Sequence, residues 1–170
     1  MPVTPYHFGP GAAVKALVPR HFSFTIFCFA QVVTDCETAY HMVRGEYPVH
    51  RDLHTYLGAT FVAIFCIFVG RPLCRVALRL WTRWPTAPFK RYFPTTDRIS
   101  WTAASTGAFI GTYSHVFLDS IMHRDVHPMS PFSSQNPFYL VISLFTLHAL
   151  CLVVGVFGTW HLATHPEQQA

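Results

Sequence analysis

The sequence predicts an all-α fold: an integral membrane helical bundle of about four long helices, plus a short N-terminal hairpin helix and an interfacial helix. Residues 1–170 form a single membrane-embedded domain. Three observations lead there. Of the residues, 51% are hydrophobic and only 12% are charged, about half the charged share of an ordinary soluble domain. Apolar runs recur along the chain, each close to the ~20 residues that cross a bilayer. Arginines gather between two such runs instead of spreading over the surface.

The first element is HFGPGAAVKALVP, a helix of about ten residues stopped by Pro19 and too short to span a bilayer. A hairpin turning at Pro19 leads into the run at about 21–43, apolar at its start and polar at its end. Helical rise is about 15 Å from His7 to Leu17 and about 21 Å from His21 to Asp35, so the hairpin sets His7 and Asp35 at similar depth. A clear span follows at about 53–70.

Segment 71–98 carries Arg71, Arg75, Arg79, Arg83, Lys90, Arg91 and Arg98 against the single acid Asp97. Between apolar runs this reads as a cytoplasmic loop under the positive-inside bias, not as a nucleic-acid surface. Within it Leu73, Val76, Leu80 and Trp84 alternate with Arg75, Arg79 and Arg83 at helical spacing. That pattern predicts a helix lying in the interface, with Trp81 and Trp84 at headgroup level and Pro85, Pro88 and Pro94 breaking the chain after it. Spans at about 101–122 and 138–162 complete the bundle.

The 5 cysteines form no CxxC pair and sit in or beside apolar runs, as small buried hydrophobes do. Pro19 and Arg20 interrupt the first apolar stretch, and no small-residue cleavage site follows, which argues against a cleavable signal peptide.

The chemistry gathers opposite the arginines. VHRDLHT sets His50 and His54 four apart, and YSHVFLD does the same for His115 and Asp119; on a helix each pair shares one face. TDCE adds Asp35 and Glu37, and the hairpin adds His7. An ionised carboxylate within a membrane is costly unless paired, hydrated or bound to a cation. Imidazole with carboxylate suits zinc, and also manganese or iron. These residues exceed what one tetrahedral site uses, which admits one or two ions. His148, His161, His21, His41 and His165 read as packing or surface residues. His123, Asp125 and His127 either line the mouth or add an outer ligand.

The order of these pieces resembles a known family. Its marks are an N-terminal His before a small-residue helix, an acidic D-x-[DE], then H-R-x-x-H-[ST], and a Gly-containing helix closing in S-H-x-x-x-D. Here they stand as His7, Asp35 with Glu37, His50-Arg51 with His54-Thr55, and Ser114-His115 with Asp119. The pattern looks like the YdjM-type, inner-membrane-associated metal-dependent hydrolases, a family described as binding the LexA repressor. The resemblance covers about residues 5–131. The family usually has D-x-D where this chain has Asp35-Cys36-Glu37, and Thr-Pro with a Gly where this chain has Ser120-Ile121-Met122.

What the resemblance implies is a bacterial inner-membrane hydrolase, similar at its site to zinc-dependent phospholipases C. The expected ligands are His7, Asp35, His50, His54, His115 and Asp119, with the site near the non-cytoplasmic face. Asp35 is expected as ligand or general base, Glu37 as a second carboxylate or proton carrier, and Arg51 as a stabiliser of phosphoryl charge. The expected substrate is a phosphoester of a membrane lipid or lipid-linked molecule. The alternative is a non-catalytic metal- or haem-binding membrane protein that acts through a protein partner.

Overall fold

In the computed structural model, residues 5–83 and 98–165 are described. Trp84, Pro85, Pro88, Lys90, Arg91, Pro94 and Asp97 lie outside them. Among the described residues every regular element is helical.

A single 3-10 turn, Pro5–His7, leads into α1 (Phe8–Leu17). The hairpin beyond it is tied by Lys15, whose Nζ donates to the carbonyl oxygens of Pro19 and Phe22. Ser23 then caps α2 (Phe24–Val43), its Oγ accepting from the Ile26 N–H at 3.3 Å. The helix continues through its polar end, so Gln31, Thr34, Asp35 and Thr38 all fall on its buried side.

The expected stacking of His50 over His54 on a helix is corrected. Both precede the helix: His54 closes a 3-10 turn, Asp52–His54, and α3 (Tyr56–Phe65) begins only after Thr55. The reason is capping. Thr55 Oγ1 accepts from the Gly58 N–H at 2.9 Å, which fixes the first helical turn, and such a cap contributes about 1 kcal/mol.

The helix expected in the arginine-rich segment is present, but no break separates it from the helix before it. The backbone stays helical from α3 through a π-helical turn, Cys66–Gly70, into α4 (Arg71–Arg83). Pro72 explains the turn. Proline has no N–H and its ring crowds the carbonyl four residues back. The wider turn before it lets Arg71 N–H reach Cys66 O, five residues away. Arg71 is also not a free loop arginine: its Nε donates to Ile99 O at 2.8 Å, and its guanidinium lies 4.0 Å over the Trp101 ring.

Ser100 caps α5 (Trp101–Met122), and Ser143 caps α6 (Leu144–Thr164). The second bound corrects the expected start at 138, because the Ser143 hydroxyl takes the Thr146 N–H and sets where the helix opens.

α5 packs against both α2 and α3, while α1 packs on α6. Small residues allow the close approaches. A Cβ on Gly107 of α5 would come 2.5 Å from Ser23 O, and one on Gly155 of α6 would come 2.8 Å from the Gly9 Cα. No larger residue fits at either crossing without moving backbone.

Two helical stretches are long and apolar enough to cross a membrane by length and composition: Tyr56–Trp81 and Leu144–Thr164. Their outward faces are apolar, with Phe61, Phe65 and Phe68 exposed on the first and Val156, Phe157 and Trp160 on the second. The expectation of about four spanning helices is met only to that extent. α2 and α5 are as long, but their polar residues, Gln31, Asp35 and Glu37 on one and His115 and Asp119 on the other, dilute their hydropathy.

Candidate metal centre

Toward the C-terminal ends of α2 and α5 the buried polar residues converge. α5 presents His115 and Asp119 one turn apart, at 0% and 3% exposure. α2 faces them with Gln31, Asp35 and Thr38. The 3-10 turn before α3 inserts His54, and the turn before α1 inserts His7, both buried. The loop after α5 folds back onto α3, where Pro128 O accepts from Tyr56 N–H at 2.9 Å, and so brings His123 and Asp125 alongside.

Three imidazoles are held by the same device. His54 Nδ1 lies 3.1 Å from Glu37 Oε2, His50 Nδ1 3.0 Å from Asp125 Oδ1, and His115 Nδ1 2.5 Å from Gln31 Oε1. The Gln31 amide is oriented by its own Nε2, which donates to Gly111 O at 3.2 Å. An oxygen of this kind only accepts, so each Nδ1 donates to it and each ring turns its Nε2 edge away from that acceptor. A ring held from behind by an oxygen acceptor is the usual arrangement of a metal-binding histidine.

The inward distances separate a metal site from an ion-pair network. His115 Nε2 is 3.2 Å from Asp119 Oδ2 and 3.4 Å from Asp35 Oδ1; His54 Nε2 is 3.4 Å from Asp119 Oδ2; His7 Nε2 is 3.4 Å from Asp119 Oδ1. A charge-assisted hydrogen bond would be about 2.7–2.9 Å long. Ligands 2.0–2.2 Å from a shared tetrahedral ion are instead about 3.4 Å from one another. The observed spacings match the second case.

The nitrogens agree. His115 Nε2 and both ring nitrogens of His7 are buried with no hydrogen-bond partner, a state that costs about 1–3 kcal/mol per group unless something fills the gap. His54 Nε2 has Thr38 Oγ1 at a long 3.4 Å. Asp35, His54, His115 and Asp119 each offer one donor atom, all within 4.8 Å of one another and all buried. Two nitrogens and two oxygens in that arrangement fit a divalent cation such as zinc, manganese or iron.

The remaining expected residues are placed differently. His50 stands beside this quartet, its ring 4.7 Å from that of His54 and stacked 4.4 Å from that of His123. Glu37 is turned to the back of His54 and also accepts from the backbone N–H groups of Arg51 and Leu53, each at 3.1 Å. The Arg51 side chain points away, with Nε donating to Pro48 O at 2.8 Å and Nη2 lying 3.3 Å from Glu46 Oε2. His148 stacks on Tyr6 at 4.5 Å, in a packing role.

Burial sets the charge of the outer imidazoles. It pushes His7 down to about 4, outweighing the nearby Asp119 carboxylate. It also lowers His50, with His54 adding to the effect, and lowers His123. All three are therefore neutral near pH 7, the form that binds a metal. Burial would raise Asp125, but the His50 imidazole and the Val49 and His50 N–H groups outweigh it and hold the carboxyl below its ordinary range.

Gln31 escaped the sequence reading, although an amide one helical turn before Asp35 in an apolar run was a usable signal. No family model matches the chain, and no curated protein or solved structure gives a significant match. The reading of the site therefore stands on its geometry.

Proposed function

We propose that this protein is a membrane-bound, metal-dependent hydrolase acting on a phosphoester of a lipid or lipid-linked substrate. The observation that carries the reading is the buried quartet Asp35, His54, His115 and Asp119, spaced as ligands and not as hydrogen-bonded pairs. When bound, a divalent cation supplies Lewis acidity, which polarises a phosphoryl oxygen and makes water a nucleophile near neutral pH. The chain's own residues do the rest. Gln31 and Glu37 keep His115 and His54 in the tautomer that presents Nε2. Asp35 either completes the ligand set or takes the proton from the attacking water, and Glu37 keeps His54 positioned throughout.

The lipid assignment is supported by a neighbouring groove. An open cavity of about 510 Å³ is lined by Tyr56, Ile110, Tyr113, Ser114 and Phe117. Tyr56 and Ser114 follow or precede site residues by one or two positions, so an acyl chain lying there would set its headgroup near the quartet. The apolar outer faces of Tyr56–Trp81 and Leu144–Thr164 support a membrane setting. The resemblance to the YdjM-type hydrolases points to a bacterial inner membrane, and the arginine-rich segment 71–98, read as cytoplasmic, puts the site toward the opposite face.

A haem-binding role is less well supported. A haem needs a flat macrocycle between two imidazoles, and the Asp119 carboxylate occupies the space between His54 and His115.

The test is metal analysis of the detergent-purified protein, followed by assays with bis-p-nitrophenyl phosphate and phospholipid substrates. Hydrolysis that is lost in Asp35→Asn and His115→Ala supports the proposal. A wild-type protein that holds its metal and turns over no phosphoester or acyl ester overturns the enzymatic reading and leaves a binding protein.

A further inference from the structure

The Asp119 carboxylate has two occupied sides. Oδ2 faces His54 and His115 at 3.4 and 3.2 Å. Oδ1 faces His7 Nε2 at 3.4 Å and His123 Nε2 at 4.0 Å. The two oxygens of this one buried carboxylate thus face two different sets of imidazoles.

The second set is built like the first. His7 is only 4% exposed, and neither of its ring nitrogens has a hydrogen-bond partner. Its ring meets that of His115 edge-on at 4.9 Å, so it borders the first quartet without belonging to it. His123 stacks on His50, whose Nδ1 is held by Asp125. Asp125 is engaged on both oxygens: Oδ2 accepts from the Val49 and His50 N–H groups at 3.1 and 3.3 Å, and Oδ1 accepts from the His50 ring. It therefore acts behind His50, as Glu37 acts behind His54. His7 and His123 thus turn their Nε2 atoms toward one carboxylate oxygen, and His50, its Nδ1 tied back, stacks on His123.

We infer that Asp119 bridges two cation positions. The first is held by Asp35, His54 and His115, and the second by His7 and His123 together with His50. The inference rests on the metal-centre reading above and adds to it a second ion, its ligands and the bridging residue. It also gives work to Oδ1 of Asp119 and to the orphaned nitrogens of His7, which a single ion on the Oδ2 side leaves unexplained. Two adjacent cations sharing a carboxylate suit the two oxygens of a phosphoester that develop charge during hydrolysis.

The experiment counts ions and asks whether they communicate. The full chain is purified, stripped and reloaded with manganese(II), then read by elemental analysis and by electron paramagnetic resonance. The expected result is two ions per chain with an exchange-coupled spectrum. His7→Ala and His123→Ala should each hold one ion, with the isolated six-line signal. Asp119→Ala should lose the coupling and most of the metal.

One ion per wild-type chain overturns the second position and leaves the first intact; no bound ion overturns both readings. Two uncoupled ions overturn the bridge. A second ion retained in both His7→Ala and His123→Ala overturns the ligand assignment. Where circular dichroism shows that a variant does not fold, the wild-type count and coupling still decide the question.

Discussion

Replacing Glu37 by Gln tests the central idea without touching a proposed ligand. The carboxylate accepts four contacts with both oxygens: Oε2 takes Arg51 N–H and His54 Nδ1, and Leu53 N–H lies 3.1 Å from each oxygen. Gln has one oxygen for these donors. If the amide oxygen takes the Oε2 place, its NH2 faces Leu53 N–H; if it turns over, the NH2 faces His54 Nδ1 and pushes the proton to Nε2. Either orientation sets donor against donor or removes the metal-binding tautomer.

The magnitudes can be bounded. A hydrogen bond to a charged acceptor contributes about 1.5–3 kcal/mol, and the Glu37 side chain is only 11% exposed, so solvent replaces little of it. With three donors and the non-additivity of neighbours, Glu37→Ala should cost about 3 kcal/mol. In a chain of this size that corresponds to roughly 6–12 °C in melting midpoint. Glu37→Gln keeps the volume and one acceptor, so it should melt less far below wild type. Both variants should bind zinc about 10–100-fold more weakly, the usual cost of losing a residue behind a ligating histidine. Competition against a chromophoric chelator measures this directly. If Glu37→Gln folds and binds zinc as tightly as wild type, then Glu37 does not set the tautomer of His54, and the metal reading loses its main support from residues behind the ligands.

Four further outcomes follow from the same geometry. Gln31→Leu removes the acceptor behind His115 and the amide's own anchor on Gly111 O, so zinc affinity should fall about 10–100-fold in the chelator assay. Gly58→Ala would set a Cβ 1.9 Å from Asp52 O; the 3-10 turn carrying His54 must then move, and thermal melting should show a loss of about 1–3 kcal/mol along with weaker zinc binding. Arg51→Ala should change zinc affinity by less than about threefold, since its guanidinium serves Glu46 and Pro48 in a solvent-screened pair outside the quartet; a larger loss would show that Arg51 reaches the site. Cys36 is exposed and adjoins Asp35, so a membrane-impermeant maleimide should label it in right-side-out vesicles and not in inside-out ones, and the opposite pattern would reverse the proposed facing.

Much of the fold was legible because hydrophobic periodicity is local. The run at 101–122 became α5 with the same bounds, since Ser100 starts it and Asp119 O receives the first N–H beyond it. The i, i+4 pair His115 and Asp119 needed only a helix to align. His50 and His54 reached the site by another route. Their spacing suggested a helical face, but Thr55 capping moved the helix start beyond them, and a 3-10 turn with an acceptor behind each ring did the positioning. The arginine stripe predicted an interfacial helix beyond a span ending near residue 70; a π-helical turn absorbed Pro72, and the helix ran on from α3 into α4.

The sequence alone determined the apolar spans, the helix-starting hydroxyls and the residue types able to hold a cation, because each depends on composition or on neighbours a few positions apart. Only the tertiary structure decided which oxygen stands behind which imidazole, that Gln31 belongs to the site, and that Asp119 has a different set of histidines on each oxygen. Glu37 meets His54 17 positions away, and Gln31 meets His115 84 positions away. No local pattern encodes such a meeting; it exists only once α5 has settled between α2 and α3.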